Sequence, residues 1–289
     1  MFTLGSGLTM VDFVVSRIRR GHHGAITVLS RRGLTPQIHK TVQVKNYGMA
    51  DLPPRLSPAA VLKWFRTEAR LAECAGSDWR AVIDGIRPYT QWIWRSMSLK
   101  LRSQFLRHAR PWWDVHRHRM APHVAEELQS AMRSGQLRIL AGTLLSARPT
   151  PRGMEIEFWT RGRRNIESLT VAHAVQCTGI GTNPFTSSNP LIRQLVASGL
   201  GRVDPLGLGL DVTADCAIVD RHGIPSSNLF AVGPITRAAL WEITAVPDIR
   251  NQCALLANRL SLRARQKGTA RQQSRERSKS WEEVRSGVT

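Results

Sequence analysis

The chain has 289 residues, 42% of them hydrophobic, enough to bury a core in one large or two modest domains and too apolar for a disordered chain. No apolar run approaches the roughly 18 residues of a membrane span, and no basic segment followed by an apolar one marks a secretory signal, so a cytoplasmic protein with no membrane role is expected. The formal charge of +20 raises nucleic-acid binding, but the basic residues are spread along the chain, clustering locally at 17–20, 31–32, 107–119, 161–164 and the C-terminal tail. Cys74, Cys177, Cys216 and Cys253 stand far apart without a CxxC pair, which fits a reduced compartment and predicts neither a zinc site nor a disulfide framework.

The chain opens on a short apolar run, Met1 to Leu4, that meets Gly5-Ser6-Gly7 and passes into a helix-compatible stretch over residues 11–18. This is how a strand, a tight turn and a phosphate-facing helix read in sequence. Gly5 would permit the turn, and Gly7, with no Cβ, would let a pyrophosphate approach the N–H groups at the helix start, beside Thr9. Met10 holds the third position of the fingerprint, where a small residue is expected. Residues 24–30 read as a second strand, and its end is where such a unit meets the adenosine ribose. Ser30, Arg31 and Arg32 stand there in place of an acidic residue, which suits a 2′-phosphate and favours NADPH over NADH. The two arginines are equally readable as solvated loop charges.

Ser57 and Pro58 then open a helix over 59–75. Further helices are expected over 79–86 and 90–106, making a tryptophan-rich helical insertion at about 58–134. Its most unusual segment, residues 105–120, sets Trp112 and Trp113 among arginines and histidines. These aromatic faces could stack a flavin, a purine or an RNA base, or simply pack a helix junction with Asp114 paired to an arginine. His116 and His118 diverge on a helix, which argues against a metal pair. A helix over 122–134 follows, closed by Gly135. Strands are expected over 137–142, 143–148, 154–160 and 169–177, the last running into Cys177-Thr178-Gly179 at a carboxyl sheet edge. A helix over 190–198, a strand at 217–220 and a short buried strand ending in Gly233-Pro234 lead to residues 236–250 and a closing helix to 263. Residues 264–289 read as a disordered basic tail.

Three pieces together, the Gly5–Asp12 turn with Leu29-Ser-Arg-Arg-Gly33, the run Arg110-Pro-Trp-Trp-Asp-Val-His-Arg-His-Arg119, and Leu229-Phe-Ala-Val-Gly-Pro-Ile-Thr-Arg237 with Trp241-Glu-Ile-Thr-Ala-Val-Pro-Asp-Ile-Arg250, resemble FAD/NAD(P)-binding proteins of the FAD-dependent urate hydroxylase type. The resemblance covers residues 1–263. It implies an α/β fold: a Rossmann-like βαβ nucleotide-binding domain with the helical insertion over 1–177, and the C-terminal part of a second, FAD-type Rossmann-like domain over 178–263. It implies that Thr178 and Gly179 mark the return to that second domain. Gly233 and Pro234 would approach the flavin, where Pro234 replaces the acid common in reductases, and Trp241 and Pro247 would lie beside the isoalloxazine.

The implied activity is NAD(P)H-dependent flavin reduction as in flavin monooxygenases, with His116, His118 and Glu242 the residues to test as acid or base and the small-molecule substrate undefined. Such proteins begin with a separate FAD-binding strand-turn-helix that residues 1–289 do not contain. A truncated product, a fragment of a longer frame, or a subunit completed by another chain is therefore expected, with FAD retention depending on the missing half. The alternative from another class is a non-catalytic remnant or a basic nucleic-acid-binding or interaction protein.

Overall fold

The computed structural model describes the chain except residues 54, 55, 164, 180–183, 185–188 and 287–289, and describes no side chain of residues 267–286. Arg164 of the 161–164 cluster and the last three residues of the tail therefore lie outside the described residues. The chain divides into two compact units, Met1–Gly181 and Thr182–Thr289.

The first unit is built on a six-stranded sheet in the order β5-β4-β3-β2-β1-β6. Strands β1 (Phe2–Leu4), β2 (Ile26–Ser30), the first part of β3 (Leu137–Thr150) and β6 (Ala174–Gln176) run parallel. The later part of β3, β4 (Gly153–Thr160) and β5 (Ile166–Val171) form an antiparallel meander. Alternation in β2 decides which face each residue serves. Ile26 and Val28 join the core under α1 (Leu8–Arg19) and α7 (Pro122–Arg133), whereas Leu29 joins Phe2, Ile156 and Phe158 on the other face. Both faces are covered, so β2 reads as the unbroken apolar run of a parallel strand. The α/β, Rossmann-like expectation is met in this unit.

Two expected strands, 137–142 and 143–148, are one. Strand β3 pairs with β2 through Ala141, then turns to β4 from Gly142 onward, with a bulge between Leu144 and Ser146. Gly142 allows this bend, because a Cβ there would stand 2.1 Å from the Trp159 carbonyl oxygen. The single strand expected over 169–177 is split at Ala172 and His173, since β5 pairs with β4 while β6 pairs with β1.

The insertion between β2 and β3 is helical, as its apolar periodicity predicted. Ser57 Oγ accepts the Ala60 N–H at the start of α2 (Pro58–Cys74), and Asp78 caps α3 (Trp79–Gly85) through the Arg80 N–H. The run expected as one helix over 90–106 is broken. Helix α4 (Thr90–Ser96) ends at the extended Met97, and Ser98 caps a new helix, α5 (Leu99–Gln104), by accepting the Leu101 N–H. A π-helical turn, Phe105–Ala109, then leads without a break into α6 (Arg110–Arg117), and Pro111, which has no N–H to donate, lies directly after that turn. Leu52, Ile86, Ile93 and Met97 form the core of this insertion, with Trp64, Phe65 and Trp113 against it.

In the second unit, α8 (Pro190–Ala197) packs beside Leu210, Val212 and Ile218, and β7 (Ala217–Val219) pairs antiparallel with β8 (Pro225–Phe230). The strand expected to end at Gly233 thus ends at Phe230, and Gly233–Thr236 is a 3-10 turn in which Pro234 suits the first positions. Helix α9 (Val246–Ser286) continues through most of the segment that composition marked as a disordered tail. Charged and polar residues of that segment are mostly good helix formers, and composition alone misses this. Among the described residues no helix is long and apolar enough to cross a membrane.

Candidate nucleotide-binding site

The strand order places a switch point between β1 and β6, where the chain leaves β1 toward β2 and β3 and later returns on the opposite side. At the carboxyl end of β1 stands Gly5, with φ +104°. A Cβ on Gly5 would lie 2.4 Å from the Cys177 carbonyl oxygen and 3.0 Å from the Thr178 nitrogen, so glycine is required twice over, by backbone conformation and by the exit of β6. The Gly5 N–H donates to the Leu29 carbonyl, and the Cys177 N–H to the Leu4 carbonyl. Burial pushes the Cys177 thiol above its ordinary pKa, which keeps it neutral beside the turn.

Gly7 is the N-cap of α1, and the space a Cβ would enter holds no atom within 4 Å. No side chain caps this helix, and its first turn holds no acidic residue. The first N–H groups of α1, at Leu8 and Thr9, therefore have no side-chain cap and no nearby acid to offset the positive end of the helix. Met10, the departure from the fingerprint, is fully buried in the core beneath α1 with Val14 and Val28. Its bulk is absorbed by the helix–sheet interface instead of filling the turn.

Ser6 and Ser30 are joined by a hydroxyl relay. Ser6 Oγ contacts both Ser30 Oγ, at 2.8 Å, and the Leu34 carbonyl, and the Gly33 N–H donates to Ser30 Oγ at 3.0 Å. A carbonyl can only accept, so Ser6 donates to Leu34, Ser30 donates to Ser6, and both hydroxyl protons are used. Ser30 thus braces the two loops, a role the sequence did not reveal; a hydroxyl relay has no sequence periodicity. Arg31 is exposed beside it, and Arg32 Nη2 reaches the His108 carbonyl at 3.4 Å, which brings the π-helical turn of the insertion to the end of β2.

Elsewhere the expected residues are engaged differently. His116 Nδ1 donates to the Trp112 carbonyl at 2.7 Å, its ring edge-on to Trp79 at 4.8 Å, while His118 caps the end of α6. Asp114 pairs with Arg110 at 3.2 Å and Trp113 packs on Phe65, the bland alternative for this segment, whereas Trp112 is exposed. Guanidinium–aromatic contacts in the insertion include Trp79, which faces Arg80 at 4.3 Å and Arg119 at 5.8 Å, and Trp94, over which Arg102 lies at 5.3 Å. Thr178 Oγ1 takes a hydrogen bond from Gln176, and Gly179 has φ +85°.

In the second unit, the Gly233 N–H donates to Gln252 Oε1 at 2.7 Å, and Gln252 Nε2 donates to Thr236 Oγ1 at 3.1 Å and approaches Cys216 Sγ at 3.3 Å. The expected flavin contact at Gly233 is therefore already satisfied by Gln252, although its Cβ side is open. Trp241 is buried, Pro234 and Pro247 are exposed, and Glu242 sits at φ +65°. Gln252 is the residue that sequence reading passed over here.

The switch point, the open turn at Gly7 and the uncapped start of α1 define a Rossmann-like unit. No family model and no curated protein matches the chain. Solved structures match it in fold. L-lysine 6-monooxygenase from Pseudomonas syringae aligns at a TM-score of 0.52 and 16% identity, over 88% of this chain and 52% of that one. The reduced form of ornithine hydroxylase from Pseudomonas aeruginosa aligns at 0.51 and 10% identity, over 89% and 52%. The chain spans about half the length of each.

Proposed function

We propose that this chain is an NADPH- and FAD-dependent oxidoreductase of the monooxygenase type. The observation that carries the reading is the Gly5–Cys177 packing at the switch point, with the open space at Gly7, on a fold shared with two hydroxylating enzymes. Leu8 and Thr9 would donate their N–H groups to the pyrophosphate, the Ser6–Ser30 relay would hold the turn in place, and Arg31 with Arg32 would face the 2′-phosphate. FAD, when bound, would supply the carrier that passes electrons from NADPH to oxygen or another acceptor. Support for the flavin comes from the resemblance and the fold. Gly233 and Trp241 would have to give up their present surroundings to meet it.

Of the candidate acids and bases, His116 keeps Nε2 unused by its bond to Trp112, and is the first to replace. Because the structures alike in fold are named for lysine and ornithine, amino acids with a primary side-chain amine are the substrate class to assay first, with urate beside them for the finer family reading. The test is a visible spectrum of the purified chain, then FAD titration with and without NADPH. A flavin band bleached by NADPH supports the reading. A colourless protein that binds neither cofactor overturns it.

A further inference from the structure

A second concave site lies at the far end of α1. That helix has 12 residues, about 18 Å of rise, so its C-terminal end is well removed from the Gly7 turn. There a cavity of about 770 Å³ opens between the last turn of α1 and the loop joining β5 to β6. Arg17, Arg20, His22 and His173 line it beside Phe13 and Val175, and none of the described residues of the lining is acidic.

The unpaired state of this charge is the informative feature. Arg19, between the two lining arginines, is bound through two nitrogens to Glu127, at 2.9 and 2.6 Å. Arg17 and Arg20 have no carboxylate partner among the described residues; Arg17 instead lies over the Phe13 ring at 5.2 Å. Nor are they needed to satisfy the end of the helix, because the carbonyls of Ser16, Arg17 and Ile18 accept N–H groups from Arg20, His22 and Gly21. His22 Nε2 is buried without a hydrogen-bond partner. Like charges gathered in one concavity repel, and an anion that enters relieves the repulsion and gains charge-assisted hydrogen bonds. Two guanidiniums suit the several oxygens of a phosphate better than the pair on a carboxylate. The apolar walls, Phe13 and Val175, suit a hydrophobic body attached to it.

We infer that this cavity binds a phosphate monoester carried on an apolar body, at a site separate from the dinucleotide turn. Phenyl phosphate is the probe, titrated calorimetrically into the full chain at fixed ionic strength, with phenol and inorganic phosphate in parallel. The expected result is one site binding phenyl phosphate at least tenfold more tightly than either fragment, unaffected by saturating NADP⁺. The Arg17→Ala/Arg20→Ala variant should weaken it at least tenfold. Both side chains are exposed, so the fold should tolerate the change, and Arg20→Glu gives an independent charge reversal. Absence of binding, equal binding of inorganic phosphate, retention in the double variant, or displacement by NADP⁺ would each overturn the assignment. Gly7→Ala should remove NADP⁺ binding and leave phenyl phosphate binding intact, so the failure of one reading is distinguishable from failure of the other.

Discussion

Gly5 and the Cys177 carbonyl oxygen leave no room for a side chain between them: a Cβ on Gly5 would stand 2.4 Å from that oxygen. Gly5→Ala must move β6 or the turn while also holding alanine at φ +104°. A cost of about 3 kcal/mol is expected, from a backbone strain of roughly 1–3 kcal/mol plus the displaced strand. Gly7→Ala is the contrast. At an N-cap with open space it should cost about 1 kcal/mol or less, yet sharply weaken NADPH binding by filling the space at the helix start. Urea denaturation and NADPH titration on both variants separate the two roles.

Ser6→Ala and Ser30→Ala each remove a member of one relay, at about 1 kcal/mol apiece. Because the two side chains share a hydrogen bond, the double variant should cost less than the sum of the singles. A double-mutant cycle in urea reads this. Additive losses would mean that the relay is not formed in solution.

Replacing Gln252 by leucine would strand the Gly233 N–H, a buried donor, and remove the bond to Thr236. The expected cost is about 2 kcal/mol, within the range for an unsatisfied buried group. Hydrogen exchange gives the direct readout: the Gly233 amide should exchange faster in Gln252→Leu, while amides of β2 keep their protection.

Cys177 is buried and Cys74 and Cys253 are exposed. Iodoacetamide should label Cys74 and Cys253 in the native protein and reach Cys177 only on unfolding. Burial raises the Cys177 pKa in the folded state, so the thiol's contribution to stability is full below the unfolded thiol pKa of about 8.5 and is lost as pH rises through the folded value. Cys177→Ala should flatten that alkaline decline, measured by urea midpoints across the range.

Much of the first unit was legible because its signals are local. The Gly5-Ser6-Gly7 turn, the Ser57-Pro58 helix start and the short apolar run of β2 each announce themselves within a few residues. What escaped is set by distant partners. Nothing near Gly142 tells that β3 will pass from β2 to β4, since Gly142 is needed only for the Trp159 backbone that folds against it. Ser98 shows why an apolar run can mislead: its hydroxyl caps a new helix in the middle of a continuous periodic pattern. Gln252 looked like one polar residue on a closing helix, and only the fold brings it to Gly233.

The double allegiance of β3 also separates near from distant pairings in the first unit. Its pairs with β4 close a hairpin, and β4 with β5 another, so the meander needs only short chain closures and can form early. Strand β1 is the opposite case: Phe2 pairs with Thr27 on one side and with Ala174 on the other, spanning nearly the whole unit. The loop-closure cost of the sheet is therefore concentrated at the β1 seam, on which the Gly5 turn hangs through its bond to Leu29.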